Sequence, residues 1–86
     1  MNGIIYKILP TKEFSKDYSK LDGSIKNRIK KKIEEVALDP TRYKHLSYEL
    51  KGSSRIRIGK LRIVFSYSEI LHELYLEEIV FDHDYR

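Results

Sequence analysis

Four cations crowd into eight residues of this 86-residue chain: Arg55, Arg57, Lys60 and Arg62. Apolar Ile56, Ile58, Leu61 and Ile63 alternate with them, and a Gly59-Lys60 pair stands at the centre. A strict period of two predicts two strands, and Gly in the first central position suits a two-residue type II′ turn. That turn sets the register: Ile58 faces Leu61, Arg57 faces Arg62, Ile56 faces Ile63 and Arg55 faces Val64. Ile56, Ile58, Leu61, Ile63 and Phe65 then share one face, and Arg55, Arg57, Lys60 and Arg62 the other. Like charges directly opposite one another cost a sheet a few tenths to about 1 kcal/mol. A sequence selected for stability alone would carry an acid at one of these places. The chemistry that suits such a face is phosphate recognition, since planar guanidinium groups grip two oxygens at once. Arginine stems covering a solvated sheet surface are the plainer account.

A second basic cluster, Lys26, Arg28, Lys30, Lys31 and Lys32, surrounds much of a helical stretch. Its expected role is long-range, salt-sensitive steering of a polyanion toward the arginines, against the simpler reading of a solvated helix surface. Net charge is +4, and its distribution is uneven: sixteen Lys/Arg against seven acids up to residue 65, then one Arg against six acids. A basic body of this kind fits a polyanion or an acidic protein as partner. Other chemistries find little support. Without cysteine there is no disulfide framework, thiolate zinc site or thiol nucleophile. His45, His72 and His83 are scattered outside any metal-binding spacing, and the four glycines form neither a phosphate loop nor a dinucleotide fingerprint. No cofactor and no metal are expected. Asp82-His83-Asp84-Tyr85 could form an acid–base cluster or fray as a terminus.

The elements that must position these groups follow from the rest of the chain. Residues 4–9 are β-branched and apolar and stop at Pro10, which predicts a short strand. Thr11 is a candidate N-cap for a helix carrying Phe14, Tyr18 and Leu21. Asp22-Gly23-Ser24 breaks the pattern, and a second helix with Ile25, Ile29, Ile33 and Val36 on one stripe runs to Asp39-Pro40. So short a turn predicts an antiparallel helical hairpin. Residues 41–54 read as irregular, anchored by Tyr43, Leu46, Tyr48 and Leu50. The stretch Ile70–Phe81 has a helix-like composition, yet Leu74, Leu76, Glu78 and Val80 alternate with Tyr75, Glu77, Ile79 and Phe81. A strand is expected, because a lone hairpin needs a third strand to be stable. Together these give one α+β domain over 1–86, with a helical hairpin packed on a mainly antiparallel sheet. Ten aromatics and 41% hydrophobic residues support a single small core. Apolar runs are too short to span a membrane, and a cytoplasmic location is expected. Gln is absent and Asn occurs only at 2 and 27, a composition that fits a hot-growing organism.

A strand, a helical hairpin ending in Asp39-Pro40, Leu50-Lys51-Gly52 and the Arg-x-Arg-x-Gly-x-x-Arg hairpin at 55–62 together resemble the RelE/ParE superfamily, toxins of type II toxin–antitoxin pairs. The resemblance implies a microbial-RNase-like fold. RelE-type members cut mRNA in the ribosomal A site, using the RNA's own 2′-OH as nucleophile, with basic residues in place of the usual His/Glu pair. Arg62 matches the hairpin arginine that stabilises charge on the scissile phosphate. Arg55 and Arg57 match basic positions on the preceding strand, which assist proton transfer or hold phosphate. Arginine, with a pKa above 12, does not serve as the base, so that role is unassigned. Lys51 and Lys60 are expected substrate contacts beside the hairpin. The C-terminus departs from the family pattern, in which an Arg near a Gly-His-Arg-like strand end is followed by Tyr. Tyr85 matches the base-stacking Tyr; the Arg has no counterpart, His83 and Arg86 are its nearest substitutes, and Asp82 and Asp84 beside them repel RNA. The implied partners are a RelB-like antitoxin and mRNA on the ribosome, with no membrane or metal. Two readings follow: a ribosome-dependent endoribonuclease, or a non-enzymatic binder of the same fold, such as a ParE-like gyrase inhibitor or a catalytically decayed module.

Overall fold

The structure, a computed structural model, describes residues 4–43 and 54–81. Thr11 caps the first helix, its hydroxyl accepting from the Phe14 amide at 3.0 Å, and α1 runs Lys12–Ser19. Asp22 caps the second in the same way, accepting from the Ile25 amide at 3.2 Å, and α2 runs Gly23–Leu38. Each cap satisfies a backbone N–H that the helix leaves without a partner. Pro40 then stops the chain in a short 3-10 turn, Pro40–Arg42. Four strands, β1 (Lys7–Pro10), β2 (Ser54–Ile58), β3 (Leu61–Ser68) and β4 (Glu73–Phe81), form one sheet in the order β1-β4-β3-β2. β1 pairs parallel with β4, and the other neighbours are antiparallel. Phe14, Ile29, Ile33 and Val36 from the helices meet Ile56, Ile58, Leu61, Ile63, Phe65, Leu74, Leu76 and Ile79 from the sheet in one buried cluster. This is the expected α+β architecture, two helices covering one face of a mostly antiparallel sheet.

Three expectations about the strands need correction. β1 starts at Lys7 and includes Pro10, rather than spanning residues 4–9. The Tyr6 amide donates to the Ala37 carbonyl (2.9 Å) at the end of α2, so the ladder begins one residue later, and Ile4 and Ile5 stay exposed. Pro10 is tolerated because β1 is an edge strand. β4 starts at Glu73, not at Ile70. Residues 69–72 turn the chain, with His72 in the left-handed region (φ 56°) and its carbonyl accepting from the Lys7 amide at 2.8 Å. Ile70 and Leu71 sit exposed on that turn.

The third correction concerns which side chains of β4 face the core. Simple alternation puts Leu74, Leu76, Glu78 and Val80 on one side, yet the buried set is Leu74, Leu76 and Ile79. The pairing passes from Phe65↔Leu76 to Val64↔Glu78, so Glu77 is a surplus residue, a β-bulge that shifts the phase by one. Its carbonyl accepts from the Thr11 hydroxyl (2.8 Å) and its carboxylate from the Ser66 hydroxyl (2.6 Å). Deleting one glutamate of the Glu77-Glu78 pair should therefore leave a continuous ladder with every core residue still facing inward. The expected cost is that of the lost hydrogen bonds, about 1–3 kcal/mol. Deleting Tyr75 instead turns Leu74 outward and should cost at least the roughly 2–5 kcal/mol of a lost core leucine. Urea denaturation of the two deletants, followed by circular dichroism, checks the contrast.

Tyr6 anchors β1 to the other end of the sheet, meeting Tyr67 and His72 edge-on with ring centroids 6.4 and 5.3 Å away. Burial, with added repulsion from Glu69 and Asp39, holds the Tyr6 and Tyr67 phenols above their ordinary pKa of 10.0. The folded protein thus keeps protons that the unfolded chain releases above about pH 10, and stability must fall as pH rises past that value. Tyr6→Phe should flatten this alkaline limb in urea midpoints measured against pH.

Candidate nucleic-acid interface

The β2–β3 hairpin has the register expected from its sequence: Ile58↔Leu61, Arg57↔Arg62, Ile56↔Ile63 and Arg55↔Val64. Gly59 takes φ 59° and Lys60 does not enter the positive region, as a type II′ turn requires. With Ile56, Ile58, Leu61, Ile63 and Phe65 buried against the helices, Arg55 and Arg62 lie on the sheet face turned away from them. Two rows cross that face, Arg57–Arg62–Val80 and Arg55–Val64–Glu78. Arg62 is half-buried at the centre of its row. Arg55 is also half-buried, and its Nε is shielded from solvent with no hydrogen-bond acceptor. Val64 is buried (7% exposed) although it belongs to this face and not to the core cluster.

Arg57 departs from the simple picture of three arginines side by side. Its Nε donates to the Gly59 carbonyl at 3.3 Å, which folds the exposed side chain back along the turn. It also lines a cleft with Arg28, Lys31 and Lys32 of α2. Lys60 is exposed in the turn itself. The other expected substrate contacts, Lys51, His83, Tyr85 and Arg86, lie outside the described residues.

The carboxylates of β4 make up the rest of the face. Glu77 accepts from Ser66, and the Tyr75 hydroxyl donates to Glu73 at 2.5 Å, a bond that holds the Tyr75 phenol above its usual pKa. Glu78 is exposed, directly across from Val64 and one diagonal step from Arg62. The face is therefore basic over β2 and β3 and acidic over β4. Sequence reading found the acidic stretch after residue 65 but not that Glu78 shares the arginine face, because the phase shift at Glu77 was not visible.

The basic residues of α2 divide between its flanks. Lys26 lies over the Tyr18 ring, 5.8 Å from its centroid, and the Tyr18 hydroxyl donates to the Lys26 carbonyl. Lys30 borders an apolar groove with Phe14 and Tyr18, and Lys32 pairs with Glu35 at 3.2 Å. Arg28 reaches the hairpin turn: its Nη1 lies 3.8 Å from where a Cβ on Gly59 would sit. The sequence placed Arg28 in a steering cluster but not against the turn, although Arg28, Lys31, Lys32 and Glu35 at i, i+3, i+4 and i+7 share one helix face. Among the described residues no group of three metal-ligating side chains occurs, and no helix is long and apolar enough to cross a membrane.

Comparison with solved structures identifies the fold. The chain superposes on a chain of the RelBE2 toxin–antitoxin complex from Mycobacterium tuberculosis with a TM-score of 0.79 at 20% identity, covering 91% of this chain and 99% of the other. Against the isolated RelE toxin of E. coli the TM-score is 0.79 at 16% identity, over 94% of this chain and 88% of that one. The archaeal RelE–RelB complex from Pyrococcus horikoshii gives 0.74 at 12% identity, over 95% and 100%. The chain has the RelE fold over nearly its whole length. No family model and no curated protein sequence matches it.

Proposed function

We propose that this chain is the toxin of a type II toxin–antitoxin pair, an endoribonuclease that cuts mRNA in the ribosomal A site and is neutralised by a RelB-like antitoxin. The observation that carries this reading is the arginine face: Arg62 opposite Arg57, with Arg55 beside them and its buried Nε lacking an acceptor. A phosphate oxygen supplies the acceptor that the Arg55 Nε lacks, and the likeness to RelE structures supports the same use. In the reaction the RNA's 2′-oxygen bonds to phosphorus, the bond to the 5′-oxygen breaks, and that oxygen takes a proton from water, so a cyclic phosphate and a 5′-hydroxyl remain. Arg62 stabilises the charge that builds on the phosphoryl oxygens. The 2′-OH proton needs an acceptor, and arginine is not one. Glu78, the exposed carboxylate diagonal to Arg62, is the group assigned to take it.

A binder of the same fold without catalysis is the second reading, favoured by the repulsion between phosphate and the β4 carboxylates. Primer extension on mRNA from translating ribosomes separates the two: codon-spaced cuts are expected, and growth arrest without cuts would select the binder. Glu78→Gln should lower cleavage by about 10²–10⁴, the usual worth of a positioned base. Unchanged or increased cleavage in that variant would make the carboxylate a mere neighbour.

A further inference from the structure

We propose that the cleft between α2 and the β2–β3 turn binds the phosphodiester backbone of single-stranded RNA, as a second contact beyond the arginine face. The inference rests on the reading of this chain as an RNA-binding protein, and it does not require that the RNA be cut.

The cleft is built from two elements far apart in sequence. α2 turns Ile29, Ile33 and Val36 inward, which leaves Arg28, Lys31, Lys32 and Glu35 on the flank toward β2. The hairpin brings Gly59 against this flank, with Arg28 Nη1 3.8 Å from the glycine's missing Cβ position. The Arg57–Gly59 hydrogen bond turns a fourth cation into the same space. The resulting cavity is about 310 Å³, within the size range of sites for small ligands. Among the described residues four cations line it against one carboxylate, Glu35, which is already paired with Lys32. Convergence of like charge from a helix and a turn stabilises neither, and a polyanion laid along the cleft removes the repulsion.

Its lining also separates RNA from an acidic protein as the occupant. Tight protein interfaces depend on apolar anchors, whereas exposed ion pairs contribute little. The apolar member of this lining, Ile58, is itself buried in the core. Accessible aliphatic surface lies instead in the adjoining groove, where Ile5 and Leu38 stand beyond the ridge of α2 that carries Lys31 and Glu35. A ligand that carries one charge per unit and needs no anchor fits the cationic flank. Arg57 belongs both to the arginine row and to the cleft, so a strand lying on the face can continue over the β2 edge onto α2.

Fluorescence anisotropy with 2′-O-methyl oligonucleotides, which lack the attacking hydroxyl, tests the proposal on the intact protein. A short probe of about four nucleotides spans one contact, and a longer one of about twelve spans both. Arg28→Ala/Lys31→Ala should weaken the longer probe about tenfold and lower the slope of log affinity against log salt by about 1.4, or 0.7 for each phosphate released. The short probe should change little, and the charge-matched Lys12→Ala/Lys16→Ala on exposed positions of α1 should leave both probes within about twofold of wild type. Equal effects of the two double variants would reduce the cleft to diffuse charge and overturn the proposal. So would a variant that loses affinity for a glutamate-rich peptide while keeping it for RNA. Wild type that binds the probes but cuts no mRNA would leave the cleft standing and remove only the enzymatic reading. Wild type that binds neither probe would overturn both.

Discussion

Arg62→Ala should lose RNA cleavage by about 10²–10³ while melting as the wild type does. The first figure is the usual effect of removing one preorganised donor from a developing oxyanion. The second follows from position. Arg62 is half-buried on the face away from the helices, between Arg57 and Val80, and contributes nothing to the core cluster. Its removal relieves the Arg57–Arg62 repulsion, which offsets lost stem packing to within about 1 kcal/mol. Activity measured with ribosome-bound mRNA, beside thermal unfolding followed by circular dichroism, checks both halves. A large fall in melting temperature would make Arg62 a structural residue and remove it from the site.

Phe65→Ala should have the opposite profile, with the fold lost first. Phe65 is 1% exposed, packs edge-on against Tyr43 with centroids 6.4 Å apart, and pairs with Leu76 where the bulge begins. Truncating a buried phenylalanine costs about 3–5 kcal/mol. A domain of this size has a total stability of about 5–15 kcal/mol, so the variant should be largely unfolded at modest urea. Urea midpoints at neutral pH read the loss directly. Phe65→Leu, which keeps most of the volume, should recover the greater part of it.

The hairpin was legible in the sequence because one glycine locks it. With Gly59 in the turn, a period of two leaves a single register, and the apolar set had to face inward. The helices were legible for a similar reason, since Thr11 and Asp22 supply caps and the isoleucines of α2 keep one stripe. β4 was legible only as a strand. Its bulge lies between two glutamates, so no change of residue type marks the surplus position, and only pairing with Val64 and Phe65 shows that Ile79 faces inward and Glu78 outward. β1 was misplaced by two exposed isoleucines whose backbone leaves the ladder for the end of α2. Spacing alone put the three arginines on one face of the hairpin. Their separation into a central Arg62 and an edge-seated Arg57, and the approach of Arg28 to Gly59, depend on how α2 crosses the sheet. That crossing is a matter of long-range packing, which no local pattern encodes.

The two edges of the sheet also bear on what the domain does when no partner is bound. An open strand edge is a template for pairing with another molecule, and long, flat, apolar edges assemble. Here one edge, β1, is four residues long, opens on Lys7 and closes on Pro10, which has no N–H to offer. The other, β2, carries Arg55 and Arg57, so two copies brought edge to edge would set guanidinium groups against each other. Both rims are poor seeds for oligomers or fibrils. Edge-to-edge association of the described sheet is thus opposed by the character of its rims rather than by the strength of its core.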